Sequence, residues 1–203
     1  PLNAIPESDS HMEVWTGWSV LLAASNNDGV REAAAIAGAM PDKGSIAFSD
    51  SSFFQPDWIW SGSDTGFRQP MGDHPFTSTR DNYGLVSADL DHDGYRELIV
   101  GTAQGNPMIY NNPCGRENWL EVDLIGKGLN AEAYGARVFL HTDAAVDQQE
   151  LHNLLAFGQG PSELHFGLGN TSVVPQLTVW WPDGTETTLH NVEANQRLRI
   201  RQE

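Results

Sequence analysis

The chain has 203 residues, enough to bury a substantial hydrophobic core, and its acidic side chains outnumber its basic ones by 27 to 11. A formal net charge of −16 repels phosphates and anionic lipid headgroups, so the composition argues against nucleic acid as a partner and favours divalent cations. No run of about 18 or more apolar residues occurs, which predicts that the chain has no membrane-spanning helix.

The pattern along the chain is one of short alternating apolar and polar runs separated by Gly, Pro, Asn and Asp, which predicts an all-β fold. The first residues, Pro-Leu-Asn-Ala-Ile-Pro, lack both an initiator methionine and a signal-peptide pattern, which indicates a processed or trimmed chain. Residues 29–40 are rich in alanine and suit either one helical turn or a strand after a loop. We expect residues 33–36 to form a buried strand.

The most specific motif is Asp-Leu-Asp-His-Asp-Gly-Tyr-Arg-Glu at residues 89–97, which places oxygen ligands at alternate positions around one glycine. Gly94 at position 6 supplies the tight turn. An EF-hand would need a bidentate glutamate at position 12 and flanking helices, but position 12 is Val100 and both flanks read as strands. The sequence therefore predicts a Ca²⁺ loop between two strands. Its predicted ligands are the carboxylates of Asp89, Asp91, Asp93 and Glu97 and the backbone carbonyl of Tyr95.

Residues 15–32 align with residues 81–97, and both copies read as strand, acidic turn, strand. In the first copy Ala24 stands at the position of Asp89, and Asn26 at that of Asp91. The loss of one carboxylate and the replacement of a second by an amide roughly halve the charge that attracts a cation. We expect the loop from Ala24 to Glu32 to be a degenerate turn held by its own hydrogen bonds, with metal binding there as the alternative.

These two units resemble FG-GAP/VCBS repeats, the calcium-loop blades of integrin-type β-propellers. Residues 56–67 and 106–112 occupy the places where such repeats carry their next strand and turn. The resemblance implies that Trp58, Ile59, Trp60 and Phe67 pack the blade, while an aromatic platform for sugars is the alternative role for Trp58 and Trp60. Propellers close with about four to eight blades, so two blades leave open edges. Either the chain is a piece of a longer propeller, or other copies complete it in a ring or an open polymer.

Cys114 is the one cysteine of the chain, which excludes an internal disulfide and a cysteine-based zinc site. It is expected to be a half-buried small residue, and a bridge to another chain is the alternative.

The second half, residues 114–201, resembles the ASPIC/UnbV domain, which follows such repeats in cartilage acidic protein and in many bacterial secreted proteins. The chain departs from this pattern at residues 146–160, where the family usually has a longer stretch rich in Gly and Ser. The resemblance rests on several motifs in order: Glu-Asn-Trp-Leu-Glu-Val-Asp-Leu-Ile-Gly at 117–126, Asn130, Tyr-Gly-Ala-Arg-Val at 134–138, Leu-His-Phe-Gly-Leu-Gly at 164–169, Val-Trp-Trp-Pro-Asp-Gly-Thr at 179–185 and Asn-Val-Glu-Ala-Asn-Gln at 191–196.

Without the family, the same residues still predict a β-sandwich or barrel. Residues 119–124 and 197–201 alternate between apolar and polar side chains, which predicts one buried and one wet face. Pro-Asp-Gly-Thr at 182–185 predicts a hairpin turn, and Gly167 and Gly169 predict a bend or bulge. The arginines at 197, 199 and 201 are expected on a solvated face, or opposite the carboxylates of a neighbouring molecule.

The sequence gives little support for catalysis. The histidines show no metal-binding spacing, and no serine lies in a Gly-x-Ser-x-Gly motif. His92 is at an even position of the loop and should point outward, and His165 is expected to be a core or edge residue. We therefore expect a protein that is not an enzyme.

These observations predict a secreted, calcium-binding structural or adhesion module at the cell surface or in a matrix. Residues 1–113 would form a partial propeller and residues 114–203 an ASPIC/UnbV-like β-domain, and copies would assemble into a homo-oligomer or polymer. The alternative is a carbohydrate-binding accessory module of a larger secreted protein, with Trp58, Trp60, Trp180 and Trp181 as candidate platforms. A glycan or an extracellular protein is the expected partner, and Asn170-Thr-Ser is a formal glycosylation sequon.

Overall fold

The computed structural model of the chain describes residues 17–38, 55–63, 65–68, 76, 79–103, 105–112, 115–143, 145–152 and 158–203. This part of the chain is all-β, as predicted, and no helix within it is long and apolar enough to cross a membrane. Cys114 lies outside the described residues, so the two alternatives for its role stay predictions. The same holds for the boundary between residues 113 and 114.

The first half forms two three-stranded antiparallel sheets, each of which is a meander of consecutive strands. A short pairing of two further strands, β3 and β5, lies beside them. The strands are β1 (Gly17–Ala23), β2 (Glu32–Ala37), β3 (Gln55–Pro56), β4 (Trp58–Trp60), β5 (Thr79–Arg80), β6 (Asn82–Ala88), β7 (Glu97–Thr102) and β8 (Met108–Tyr110). The sheet orders are β1-β2-β4 and β6-β7-β8.

The register of the second sheet repeats that of the first. Ala23 pairs with Glu32 across the first turn, and Ala88 pairs with Glu97 across the second, so both loops have the same length. Both pairs of strands also carry an irregularity near the start of their first strand. The internal repeat read from the sequence is therefore a repeat of structure. We call the two sheets the first and second repeat units.

The two repeat units enclose one hydrophobic core. The strand predicted at residues 33–36 is confirmed as part of β2. This strand is buried along its whole length, because the first repeat unit packs there against the second. Ile59 contributes to this core as expected. Phe67 does not, because its side chain is 43% exposed, so its predicted packing role is wrong. The buried core residues are Ala34, Ile36, Ile59, Phe76, Leu85, Leu98 and Val100.

The second half forms two sheets around a separate core, which contains buried leucines and valines of both sheets with Phe166 and Trp181. The sheet orders are β11-β10-β13-β14 and β12-β9-β15, and β15 runs parallel to β9. The strands are β9 (Asn118–Ile125), β10 (Arg137–His141), β11 (Val146–Glu150), β12 (Glu163–Gly169), β13 (Val173–Trp180), β14 (Glu186–Glu193) and β15 (Gln196–Arg201).

Several local predictions for this domain are confirmed. The turn at 182–185 joins β13 to β14, with Gly184 at φ 86° and the Asp183 carboxylate accepting from the backbone N–H of Thr185 at 3.0 Å. The register of β12 against β9 shifts between Gly167 and Gly169, as the glycine pair predicts.

The wet face predicted for β9 is partly wrong. Glu121 is 1% exposed, because the repeat units cover this part of the sheet. The three arginines of β15 lie on an exposed face, as predicted, and two of them pair with carboxylates of the same chain. Arg199 pairs with Asp123 at 2.6 Å, and Arg197 pairs with Glu121.

Candidate metal centre

The predicted Ca²⁺ loop joins β6 to β7 and is shaped by its own backbone N–H groups. The N–H of Gly94 donates to Asp89 Oδ2 at 3.1 Å, and that of Tyr95 donates to Asp93 Oδ1 at 2.8 Å. At the far end of the loop the N–H of Leu90 donates to Glu97 Oε2 at 2.9 Å. The bonds to Asp89 and Glu97 span the loop, whereas the bond to Asp93 is local.

Three of the predicted ligands are brought together. Asp89, Asp91 and Glu97 each offer a carboxylate oxygen, and the three oxygens lie within 4.8 Å of one another. Calcium binds oxygen at about 2.3–2.6 Å, so two ligands on opposite sides of one ion are separated by at most about 5 Å. The three oxygens therefore fit around a single Ca²⁺. Asp93 is outside this group, and one of its oxygens is engaged by the N–H of Tyr95.

The second carboxylate oxygen of Glu97 is the clearest local sign of a cation. Glu97 is 4% exposed, and its Oε1 has no hydrogen-bond partner among the described residues. A buried charged oxygen without a partner is costly, and a metal ion would offset that cost. Asp89 is also buried, whereas Asp91 is exposed and gives the site an opening to solvent.

The corresponding loop of repeat unit 1 is closed by hydrogen bonds, as the sequence predicts. Glu32 Oε2 accepts from both the N–H and the hydroxyl of Ser25 at 2.8 Å. Asn26 and Asp28 bond to each other through the Asn26 amide group and the N–H of Asp28. Burial raises the pKa of Glu32, and the bonds from Ser25 oppose that rise. In the first loop Ser25 therefore gives Glu32 two hydrogen bonds, one from its N–H and one from its hydroxyl. In the second loop the corresponding residue is Leu90, which has no hydroxyl and gives Glu97 only the bond from its N–H.

The predicted Ca²⁺ loop packs against the second domain. Gly94 has φ 88°, and a Cβ placed on it would lie 2.0 Å from the indole of Trp119 on β9. The Tyr95 hydroxyl donates to the carbonyl of Glu117 at 3.1 Å. Two features therefore require glycine at position 94: its positive φ, and the close approach of the Trp119 indole, which leaves no room for a Cβ.

Asn27 links both loops to the second domain. It is fully buried, and its amide donates to the carbonyl of Gly94 at 2.8 Å while its Oδ1 lies 2.7 Å from His165 Nε2. Its carbonyl accepts from the N–H of Gly169 at 2.7 Å. Asn27 stands at the loop position of His92, and both residues have positive φ, 59° and 63°. One side chain thus bridges repeat unit 1, the calcium loop and β12.

A group of buried charges continues this junction. Arg96 is 8% exposed; its guanidinium donates to the hydroxyl and carbonyl of Ser87 and lies 3.6 Å from Glu163 Oε1. Burial and the neighbouring carboxylate of Glu121 raise the pKa of Glu163 to about 7, although Arg96 opposes this rise. Burial, reinforced by the positive charge of Arg96, lowers the pKa of His165 to about 3. His165 is therefore neutral at ordinary pH, and it is a buried residue as predicted.

The residues of this junction were not identified from the sequence as functional. Asn27 carried a usable signal, because asparagine is among the residues that tolerate the left-handed conformation a loop requires. Arg96 carried a second signal, as a basic residue inside an acidic motif. Trp119 and Glu163 gave none, because their role depends on how the two halves of the chain pack.

Residues 126–203 match the family model described as ASPIC and UnbV. This match supports an ASPIC/UnbV domain at residues 126–203, as the sequence motifs in that range suggest. A search of curated proteins finds no match to this chain. The likeness of the two repeat units to FG-GAP/VCBS repeats stays a prediction.

Proposed function

We propose that the protein is a secreted, non-catalytic structural or adhesion module whose loop at residues 89–97 binds Ca²⁺. The observation that carries the proposal is that Asp89, Asp91 and Glu97 each bring a carboxylate oxygen within 4.8 Å of the others, while the buried Oε1 of Glu97 has no partner among the described residues. The carbonyl of Tyr95 and the carboxylate of Asp93 would complete the coordination as the loop motif requires. The expected affinity is that of extracellular modules, with a Kd on the order of 10⁻⁴ to 10⁻³ M.

Calcium bound in this loop would also stabilise the contact between the loop and the second domain. The loop residues that follow the ligands form the contact with the second domain: Gly94 lies under Trp119, Tyr95 bonds to Glu117, and Arg96 lies beside Glu163. Neutralising the acidic cluster would fix these contacts, so calcium binding and docking of the ASPIC/UnbV domain would stabilise each other.

The two repeat units are proposed to be propeller-type blades that other copies of the chain complete. On β1 the side chain of Leu21 packs against the shared core, whereas those of Val20 and Leu22 are 61% and 54% exposed on the opposite face. In a propeller that face would pack against a preceding blade. A second copy of the chain would cover it, and a contact that does not close by rotation would give a filament.

Calcium titration followed by calorimetry tests the metal site. We expect one site with sub-millimolar to millimolar affinity, lost in Glu97→Gln, which keeps the shape of the side chain but removes its charge. Asn26→Ala in the first loop is the matched control and should leave binding unchanged. Equal calcium binding by Glu97→Gln and the parent protein would refute the site.

Sedimentation velocity of native material, in millimolar calcium and after chelation, tests assembly. Large particles that dissociate in chelator would support a polymer held by calcium-stabilised subunits. A compact monomer in both buffers would refute self-assembly without affecting the calcium site.

A further inference from the structure

The outer face of the sheet β11-β10-β13-β14 has an ordered pattern of side chains that the calcium loop does not touch. Across β10, β13 and β14, the strand register aligns three outward rows. At about 4.8 Å between strands and two residues between rows, the rows cover a surface of about 10 by 14 Å. The rows are Arg137, Trp180 and Glu186; Phe139, Thr178 and Thr188; and His141, Gln176 and His190.

A shallow groove of about 260 Å³ lies on this face. Its apolar wall is formed by Trp180 and Phe139, whose ring centroids are 4.6 Å apart with planes inclined at 52°. Trp180 is 46% exposed, so a large part of its indole faces the groove and solvent. The neighbouring Trp181 has the opposite role: it is buried, and its indole N–H donates to Thr187 at 2.8 Å.

The remaining walls of the groove are hydrogen-bonding groups held in fixed positions. The amide of Gln176 donates to the hydroxyl of Thr178 at 3.2 Å, and that hydroxyl lies 3.3 Å from the hydroxyl of Thr188. These contacts orient the three side chains, and the Gln176 amide oxygen has no hydrogen-bond partner among the described residues, so it can accept a bond. The Glu186 carboxylate also lines the groove, and within the described residues it has no ion-pair or hydrogen-bond partner.

We propose that this groove binds a neutral polysaccharide, with one pyranose ring against Trp180 and its hydroxyl groups on the polar wall. A pyranose has an apolar C–H face and a rim of hydroxyls, which matches an exposed indole beside an amide, two hydroxyls and a carboxylate. No lysine or arginine is among the described residues that line the groove, and Arg137, in the row of Trp180, is paired with Glu150 at 2.8 Å. Since the chain also carries a net charge of −16, an anionic ligand would be repelled. The single aromatic pair is far smaller than the surface that a stable protein partner buries.

Of the candidate platforms, the structure favours Trp180. Trp58 and Trp60 are partly buried, and their rings stack on each other with centroids 6.3 Å apart. Trp181 is covered by the core of the domain. The proposed groove lies on the β10, β13 and β14 face, whereas the calcium loop contacts β9 and β12, so the two sites can fail independently.

Affinity electrophoresis in millimolar calcium tests the proposal. The parent protein is run through gels containing hydroxyethyl cellulose, xylan or mannan as neutral polymers, and polygalacturonate as an anionic comparison. We expect retardation by at least one neutral polymer, and an apparent affinity at least about tenfold weaker in Trp180→Ala. Gln176→Ala should also weaken it, and this variant keeps the proposal testable if Trp180→Ala folds poorly.

The matched control is Leu129→Ala, which removes a fully exposed apolar side chain of the same domain outside the groove and should bind as the parent does. Three results would overturn the proposal. They are passage through all neutral gels without retardation, retardation by polygalacturonate alone, and retardation that persists in both Trp180→Ala and Gln176→Ala.

Discussion

Asp91→Ala isolates the contribution of calcium to stability. The Asp91 side chain is exposed, and its one described hydrogen bond accepts from the N–H of Asp93 at 3.3 Å. Without metal, such a surface change should alter the free energy of unfolding by less than about 0.5 kcal/mol. With metal, the change removes a charged ligand from the proposed site, so its cost should depend on calcium.

The size of the effect follows from mass action. At about 10 mM calcium and a Kd of about 10⁻⁴ to 10⁻³ M, binding adds about 1.4–2.7 kcal/mol to the free energy of unfolding. A variant that binds about tenfold more weakly keeps about 0.4–1.4 kcal/mol of this, so it loses about 1 kcal/mol. For a chain of this length, that loss lowers the Tm by about 2–5 °C.

Differential scanning calorimetry in calcium and in chelator measures both quantities. Asn26→Ala, at the corresponding position of the first loop, is the control. Its Tm should change equally in both buffers, because Asn26 bonds to Asp28 and not to a metal in the proposed arrangement. If Asp91→Ala and the parent protein gained the same Tm from calcium, the assignment of Asp91 as a ligand would be wrong.

Three further predictions test the junction between the repeat units and the ASPIC/UnbV domain. Gly94→Ala should lower the free energy of unfolding, measured in urea, by more than about 3 kcal/mol. The control Gly184→Ala, which has a similar positive φ but open space around it, should lower it by about 1 kcal/mol. Similar losses in the two variants would refute the close packing of Gly94 on Trp119. Asn27→Ala should lower the free energy of unfolding by about 2–4 kcal/mol, and it should also lower the calcium affinity, because it removes the bonds that join the loop to the second domain. A calcium affinity that is unchanged in calorimetry would refute the coupling between calcium binding and domain docking. In chelator, unfolded His165 takes up a proton below about pH 6.5 that folded His165 does not, so this residue lowers the free energy of unfolding as pH falls towards 3, while the raised pKa of Glu163 opposes the change between about pH 7 and 4.5. The test is therefore the difference between parent and variant: His165→Gln should change the slope by up to about 1.4 kcal/mol per pH unit, and an identical slope would contradict the lowered pKa.

Much of the local structure could be predicted from the sequence because local chemistry determines it. Alternation of side chains located the strands, and the Pro-Asp-Gly-Thr turn located the hairpin between β13 and β14. The repeat was readable because both loops keep a glycine and a glutamate at the same spacing. Even the closed state of the first loop followed from the loss of a carboxylate at Ala24.

What could not be predicted depends on contacts between distant parts of the chain. Alternation placed Glu121 on the wet face of β9, but the repeat units cover that face and bury it. Phe67 was expected to pack the blade because of the resemblance to propeller repeats, yet its side chain is largely exposed. Trp119, Asn27 and Glu163 gain their roles from sequence separations too large for any periodicity to reveal.

The parallel pairing of β15 with β9 has a consequence for how the protein is made. β9 is the middle strand of its sheet, and both of its neighbours, β12 and β15, are synthesised after it. During synthesis the two repeat units could fold early, while one edge of β9 would stay unpaired until β15 emerged. Pairing β9 with β15 requires closing the long chain segment between them, which is slow compared with forming a hairpin between neighbouring strands. Trp119, which packs on Gly94, lies on β9, so the sheet behind the predicted Ca²⁺ loop would be complete only after β15 has been synthesised.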